Sequence, residues 1–92
     1  MKKYVIERDI PGAGDMTDAE AMAAAQNSNA ALAQLAPTVQ WQQSHVAGDK
    51  IFCVYLADDE AAIRKHSEIS GIPITAIHPV DRVMDPASAI GR

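Results

Sequence analysis

Across residues 39–71 the chain changes its apolar period twice, and the order of those changes limits what it can fold into. Residues 39–46 and 50–57 each carry strand-forming side chains in near alternation. The stretch Ala47-Gly48-Asp49-Lys50 between them leaves room only for a tight turn, so the two runs read as an antiparallel hairpin. Asp58 and Asp59 then offer an N-cap, the apolar spacing becomes helical, and Gly71 supplies a left-handed stop. Glu60 with Arg64, and Arg64 with Glu68, share the solvent side of that helix, whereas Ile63, His66 and Ile69 share the other.

The flanks complete the pattern. Residues 3–8 read as a strand ended by IPGAG, a strong breaker. Thr17-Asp18-Ala19-Glu20 has the spacing of a capping box, and the alanine-rich stretch after it predicts a helix whose inward stripe is Met22, Ala25, Leu32 and Leu35. Pro37 stops that helix by Leu35 or Ala36. Residues 76–84 read as a last strand, with Pro79 marking an edge or a bulge. The order βαββαβ predicts an α+β, ferredoxin-like sandwich: a four-stranded antiparallel sheet with both helices on one face. The domain is expected over residues 1–86, with a tail over 87–92.

Setting Val46 opposite Ile51 fixes a register, and strict alternation then sorts the side chains. Val39, Trp41, Gln43, His45, Phe52, Val54 and Leu56 fall on one face, expected beneath the helices together with Ile6. Ile51, Cys53, Tyr55, Val5 and Glu7 fall on the other, expected to be bare. Apolar surface of that extent seldom stays uncovered, so a second copy is expected to close over it in a dimeric α/β-barrel-like assembly with a cavity between. The composition points the same way. Of 92 residues 48% are hydrophobic, but only 4% are aromatic and much of the remainder is alanine, so one chain builds a thin core.

Several classes of function are disfavoured. A net charge of −4 without a Lys/Arg cluster argues against nucleic-acid binding, and the apolar run Tyr4-Val5-Ile6 is too short for a signal peptide or membrane span. A single cysteine forms no internal disulfide, which suits the cytoplasm. PGAG at 11–14 lacks the remaining elements of a phosphate loop and reads as a turn.

Three residues stand out chemically. Cys53, in mid-strand, is either a buried small hydrophobe or a soft metal ligand. His66 interrupts an apolar stripe, as a hydrogen-bonded core histidine or as a ligand or general base; no second donor accompanies it one helical turn away. Glu7 on a covered sheet face must be paired, protonated or metal-bound, and Arg8, Asp9 or a second copy are available to pair it. Arg8, Trp41 and Tyr55 are the expected lining of a pocket. His45 reads as a solvated strand-end residue, and His78 joins the face of Glu7 if Ile77 points to the helices.

The segments YVIERDIPGAG at 4–14, AAQNSNAALAQLAPTVQW at 24–41, DKIFCVYLADDEAAIRKHSEISGIP at 49–73 and VDRVMDP at 80–86 together resemble a family of small bacterial ferredoxin-like proteins that includes a nickel-binding actinomycete member. Glu7, Arg8, Asp9, Trp41, Cys53, Tyr55 and His66 fall on its pattern; His45 and His78 do not. The resemblance implies a homodimer and nickel or another divalent transition metal, with no organic cofactor. Glu7, Cys53 and His66 are the expected metal ligands on chemical grounds. Because Cys53 and His66 are expected on opposite faces, a shared metal requires two chains or a position at the end of the sandwich; otherwise one of the two is structural. The expected function is a cytoplasmic homodimer that sequesters or senses a divalent metal. The competing expectations are an enzyme using Glu7 or His66 as acid/base on a small organic substrate, and a non-catalytic module binding a small molecule or protein.

Overall fold

The computed structural model describes residues 1–91. Four strands, β1 (Lys2–Asp9), β2 (Val39–Ala47), β3 (Lys50–Ala57) and β4 (Ala76–Pro79), form one antiparallel sheet in the order β2-β3-β1-β4. The helices α1 (Asp18–Leu35) and α2 (Glu60–Ser70) complete the βαββαβ order expected from the sequence. Local chemistry explains the boundaries. Thr17 Oγ1 accepts from the Glu20 N–H while Glu20 accepts from the Thr17 N–H, closing the capping box of α1. Asp59, rather than Asp58, caps α2, and Gly71 ends it at φ 75°. Strand β4 ends at Pro79, well short of the expected residue 84; Val80 N–H still donates to the Lys3 carbonyl at 2.9 Å, and β1 begins at Lys2, so the partner strand ends there too. Pro86–Ile90, capped by Asp85, form a short 3-10 helix beyond the sheet.

The hairpin turn is Gly48-Asp49, and it docks on the loop after β1. Gly14 N–H donates to the Gly48 carbonyl at 2.7 Å and Ile10 N–H to the Asp49 carbonyl at 2.8 Å. A Cβ on Gly14 would lie 3.1 Å from the Gly48 carbonyl oxygen, so glycine permits this approach of two backbones. The glycines at 11–14 therefore serve a loop–hairpin contact.

The sheet's two faces are not divided as strict alternation predicts. β1 and β3 pair with Ile6 opposite Cys53, Tyr4 opposite Tyr55 and Arg8 opposite Ile51. Cys53 and Tyr55 therefore lie with Ile6 beneath the helices, and Phe52, Val54 and Leu56 lie on the open face. In β2 a bulge between Trp41 and Gln43 inserts one residue. Val46 does pair with Ile51, but the bulge returns Trp41 and Val39 to the helix side, opposite Tyr55 and Ala57, and leaves Gln43 and His45 outside. The core comprises Tyr4, Ile6, Val39, Cys53, Tyr55, Ala57 and Ile63, with Leu32 and Leu35 packed against it. Met22, expected in the inward stripe of α1, is 62% exposed; Ser28 and Ala31 are the buried residues of that helix.

Candidate functional site

The alanines of α1 leave space that larger side chains would fill. Between Ala21, Ala24 and Ala25 on one side and β2, β3 and β1 on the other lies a pocket of about 230 Å³. Its wall is mostly apolar (Met16, Val46, Ile51 and Ile72 contribute), and its polar lining is Arg8, Ser28, Trp41, Ser44, Cys53 and Tyr55.

Arg8 organises the inner end. Its position opposite Ile51 turns it under the helices, where it is 1% exposed. Nη1 donates to the carbonyls of Ile72 (3.2 Å) and Pro73 (2.9 Å), tying β1 to the segment after α2. Nε donates to Cys53 Sγ at 3.4 Å and Nη2 to the Tyr55 hydroxyl at 3.4 Å. Ser44 Oγ also donates to Cys53 Sγ, at 3.0 Å, and itself accepts from Trp41 Nε1 at 2.9 Å. The bulge in β2 makes the Trp41–Ser44–Cys53 relay possible, because without it Trp41 and Ser44 would sit on opposite faces.

Behind this wall His66 is buried against Tyr55, with ring centroids 5.4 Å apart, and its Nε2 shares a hydrogen bond with Ser28 Oγ at 3.1 Å. His66 Nδ1 is buried without a partner. Burial, with the Arg8 charge nearby, holds the imidazole below its ordinary pKa, so it is neutral at pH 7. Burial likewise raises the Tyr55 phenol, with the neighbouring Cys53 adding to the effect, so Tyr55 keeps its proton.

Glu7 lies on the other face, beside Phe52 and Ala76 in the ladder. Arg8 points away from it. Lys50 Nζ bonds Glu7 Oε2 at 3.0 Å and also Asp9, while His78 Nε2 lies 3.5 Å from Glu7 Oε1. Lys50 chiefly, and His78 next, hold the Glu7 carboxyl below its usual pKa. His78 takes this place because Ile77 pairs with Ile6 and so points to the helices.

The three expected ligands therefore occupy two sides of the sheet: Cys53 and His66 under the helices, Glu7 outside. One chain does not bring them to one ion, and among the described residues no group of three or more His, Cys, Asp or Glu is placed to hold a metal. The Arg8 guanidinium beside Cys53 also opposes a cation there. Sequence reasoning missed Ser44 and Ser28, whose places follow from the bulge and from the small buried face of α1.

The family model for the nickel responsive protein SCO4226-like matches residues 4–80. The chain belongs to this family. The crystal structure of SCO4226 from Streptomyces coelicolor A3(2) is similar to it with a TM-score of 0.74, at 19% sequence identity, covering 89% of this chain and 99% of that one. At that identity the likeness establishes the ferredoxin-like fold. No curated protein matches the chain. No helix among the described residues is long and apolar enough to cross a membrane.

Proposed function

We propose that the protein is a cytoplasmic homodimer that binds a divalent transition metal, nickel first, for sequestration or sensing. The reading is carried by the Glu7–His78 pair on the open sheet face of a chain in a nickel-responsive family. An imidazole nitrogen 3.5 Å from a carboxylate oxygen is close enough for both to reach one ion. Both donors suit nickel, as imidazole and carboxylate do. Two donors do not complete a site, and Lys50 holds the second oxygen of Glu7. A second copy supplies what is missing. Half-buried Val5, Phe52, Val54 and Leu56 form an apolar stripe between β1 and β3 on this face, away from the helices. Pairing two such stripes brings the two Glu7–His78 pairs onto one assembly. The buried, unpaired Cys53 suits a reducing compartment.

Calorimetric titration of Ni²⁺ into the purified protein at pH 7.5 tests the reading. Micromolar or tighter binding is expected, lost at least tenfold in the Glu7→Gln/His78→Ala double variant and kept in Cys53→Ser. Millimolar or weaker affinity in the wild type rejects it, as does binding that follows Cys53 instead.

A further inference from the structure

A second site, on the opposite side of the sheet, follows from the charge of Arg8. A guanidinium 1% exposed is costly unless an anion accompanies it, yet no described carboxylate lies within ion-pair distance. Its contacts are two backbone carbonyls, a phenol hydroxyl and the cysteine sulfur. Nη2 carries two N–H groups and makes one hydrogen bond, so one donor is left over. The Tyr55 hydroxyl, which accepts from Nη2, also has Ser28 as a hydrogen-bonding neighbour, so Arg8 carries the uncommitted donor. Arg8 and Tyr55 both line a pocket of about 230 Å³ whose remaining wall is mostly apolar, with Ser28, Ser44 and Cys53 as its other polar members.

We propose that this pocket binds a small organic monocarboxylate with a compact apolar body, its carboxylate on the free N–H of Arg8 Nη2 and its body against Ala25, Ile51 and Trp41. One guanidinium balances one negative charge. A phosphate dianion would bring three acceptor oxygens into a wall with too few free donors. A neutral ligand would leave the buried charge uncompensated. The volume favours a ligand below drug size. Ala21 and Ala24 are exposed at the rim of α1 and form the entrance. Metal binding on the open face and acid binding here use no residue in common, so either can fail without the other.

Trp41 lines the pocket and is the only tryptophan, so its fluorescence reports occupancy. The probes are isovalerate and cyclohexanecarboxylate, each against its primary amide, at pH 7.5 in buffer containing EDTA. The acids should give a saturable change, and the amides should bind at least tenfold more weakly. Arg8→Gln should weaken the acids at least tenfold. Because Arg8 also ties β1 to the Ile72–Pro73 carbonyls, that variant is judged beside Ala25→Leu, which keeps the charge and fills the pocket from α1. Ala25→Leu should abolish the response to both acids while leaving the unfolding midpoint within a few degrees. No saturable change in the wild type, equal binding of acid and amide, or an undiminished response in Ala25→Leu would overturn the proposal.

Discussion

Protonating His66 should destabilise the protein within a pH window where its carboxylates stay ionised. The imidazole is 1% exposed, its Nδ1 has no partner, and desolvation first and Arg8 second disfavour a positive charge on it. Its folded-state pKa therefore lies below the unfolded value near 6.5. Below that value the unfolded chain binds the proton more readily than the folded one, so stability is full above about pH 6.5 and falls as pH drops toward the folded pKa. The slope of a single group reaches about 1.4 kcal/mol per pH unit. Between pH 7.5 and 5.5 the loss is at most about 1.4 kcal/mol, the value for a folded state that takes up no proton, since the unfolded chain is about nine-tenths protonated at the lower end. With a urea m-value of about 1–3 kcal/mol/M for a domain of this size, the midpoint should fall, by no more than about 0.5–1.4 M. The measurement is urea unfolding at fixed protein concentration across pH 5.5–7.5, for the wild type and His66→Gln. Glutamine can still meet Ser28 Oγ but cannot take up a proton. Glu7 and Asp9, whose pKa values are lowered mainly by Lys50, lose their contribution only at more acidic pH and are common to both proteins. The variant's profile should be flatter, within the bound given. Parallel profiles would mean that the folded chain accepts the proton at no cost, and the picture of a neutral, desolvated His66 would be wrong.

Other substitutions probe the scaffold. Ile6→Ala, at a position 0% exposed and opposite Cys53, should cost about 2–5 kcal/mol in urea unfolding. Gly14→Ala presses a Cβ onto the Gly48 carbonyl oxygen at 3.1 Å, backbone against backbone, and should lower the thermal midpoint by about 4 °C or more; an unchanged midpoint would show that the loop yields freely. Val54→Asp places a charge in the middle of the open apolar stripe and should convert the proposed dimer to monomer in sedimentation equilibrium at micromolar concentration. A wild type already monomeric there would remove the basis for a shared metal site.

The order of elements was legible because each boundary has a local cause. Thr17 and Glu20 cap α1, Gly48-Asp49 turns the hairpin and Gly71 ends α2; none of these depends on contacts far along the chain. The faces of the sheet were not legible in the same way. A strand's side-chain period is two, so one inserted residue reverses the sense of everything beyond it, and nothing in Val39-Gln40-Trp41-Gln42-Gln43 marks where the insertion falls. Nor did hydropathy decide which face the helices cover: Phe52, Val54 and Leu56 are more apolar than Ile51, Cys53 and Tyr55, yet the less apolar set lies inside. The pairing of Ile6 with Cys53 decides it, and that is a non-local fact. Arg8 illustrates the same limit. From sequence Arg8 reads equally as a pocket residue or as a mate for Glu7, and only the register shows it turned inward while Lys50 and His78 take Glu7.

The less apolar face tolerates burial because most of its polar groups bond each other. Trp41 donates to Ser44, Ser44 and Arg8 donate to Cys53, and Arg8 also bonds Tyr55 and two carbonyls, so Trp41, Ser44, Cys53 and Tyr55 each have a partner. A wholly apolar inner face would pack more cheaply, since a buried network stabilises a fold less than well-fitted hydrocarbon does. The chain instead keeps a cation in its interior and places Val5, Phe52, Val54 and Leu56 on the open face, where they are free to meet another copy. Stability alone does not favour that arrangement. It becomes intelligible if the interior serves a ligand of opposite charge and the exterior serves an interface, with the sheet as the partition between them.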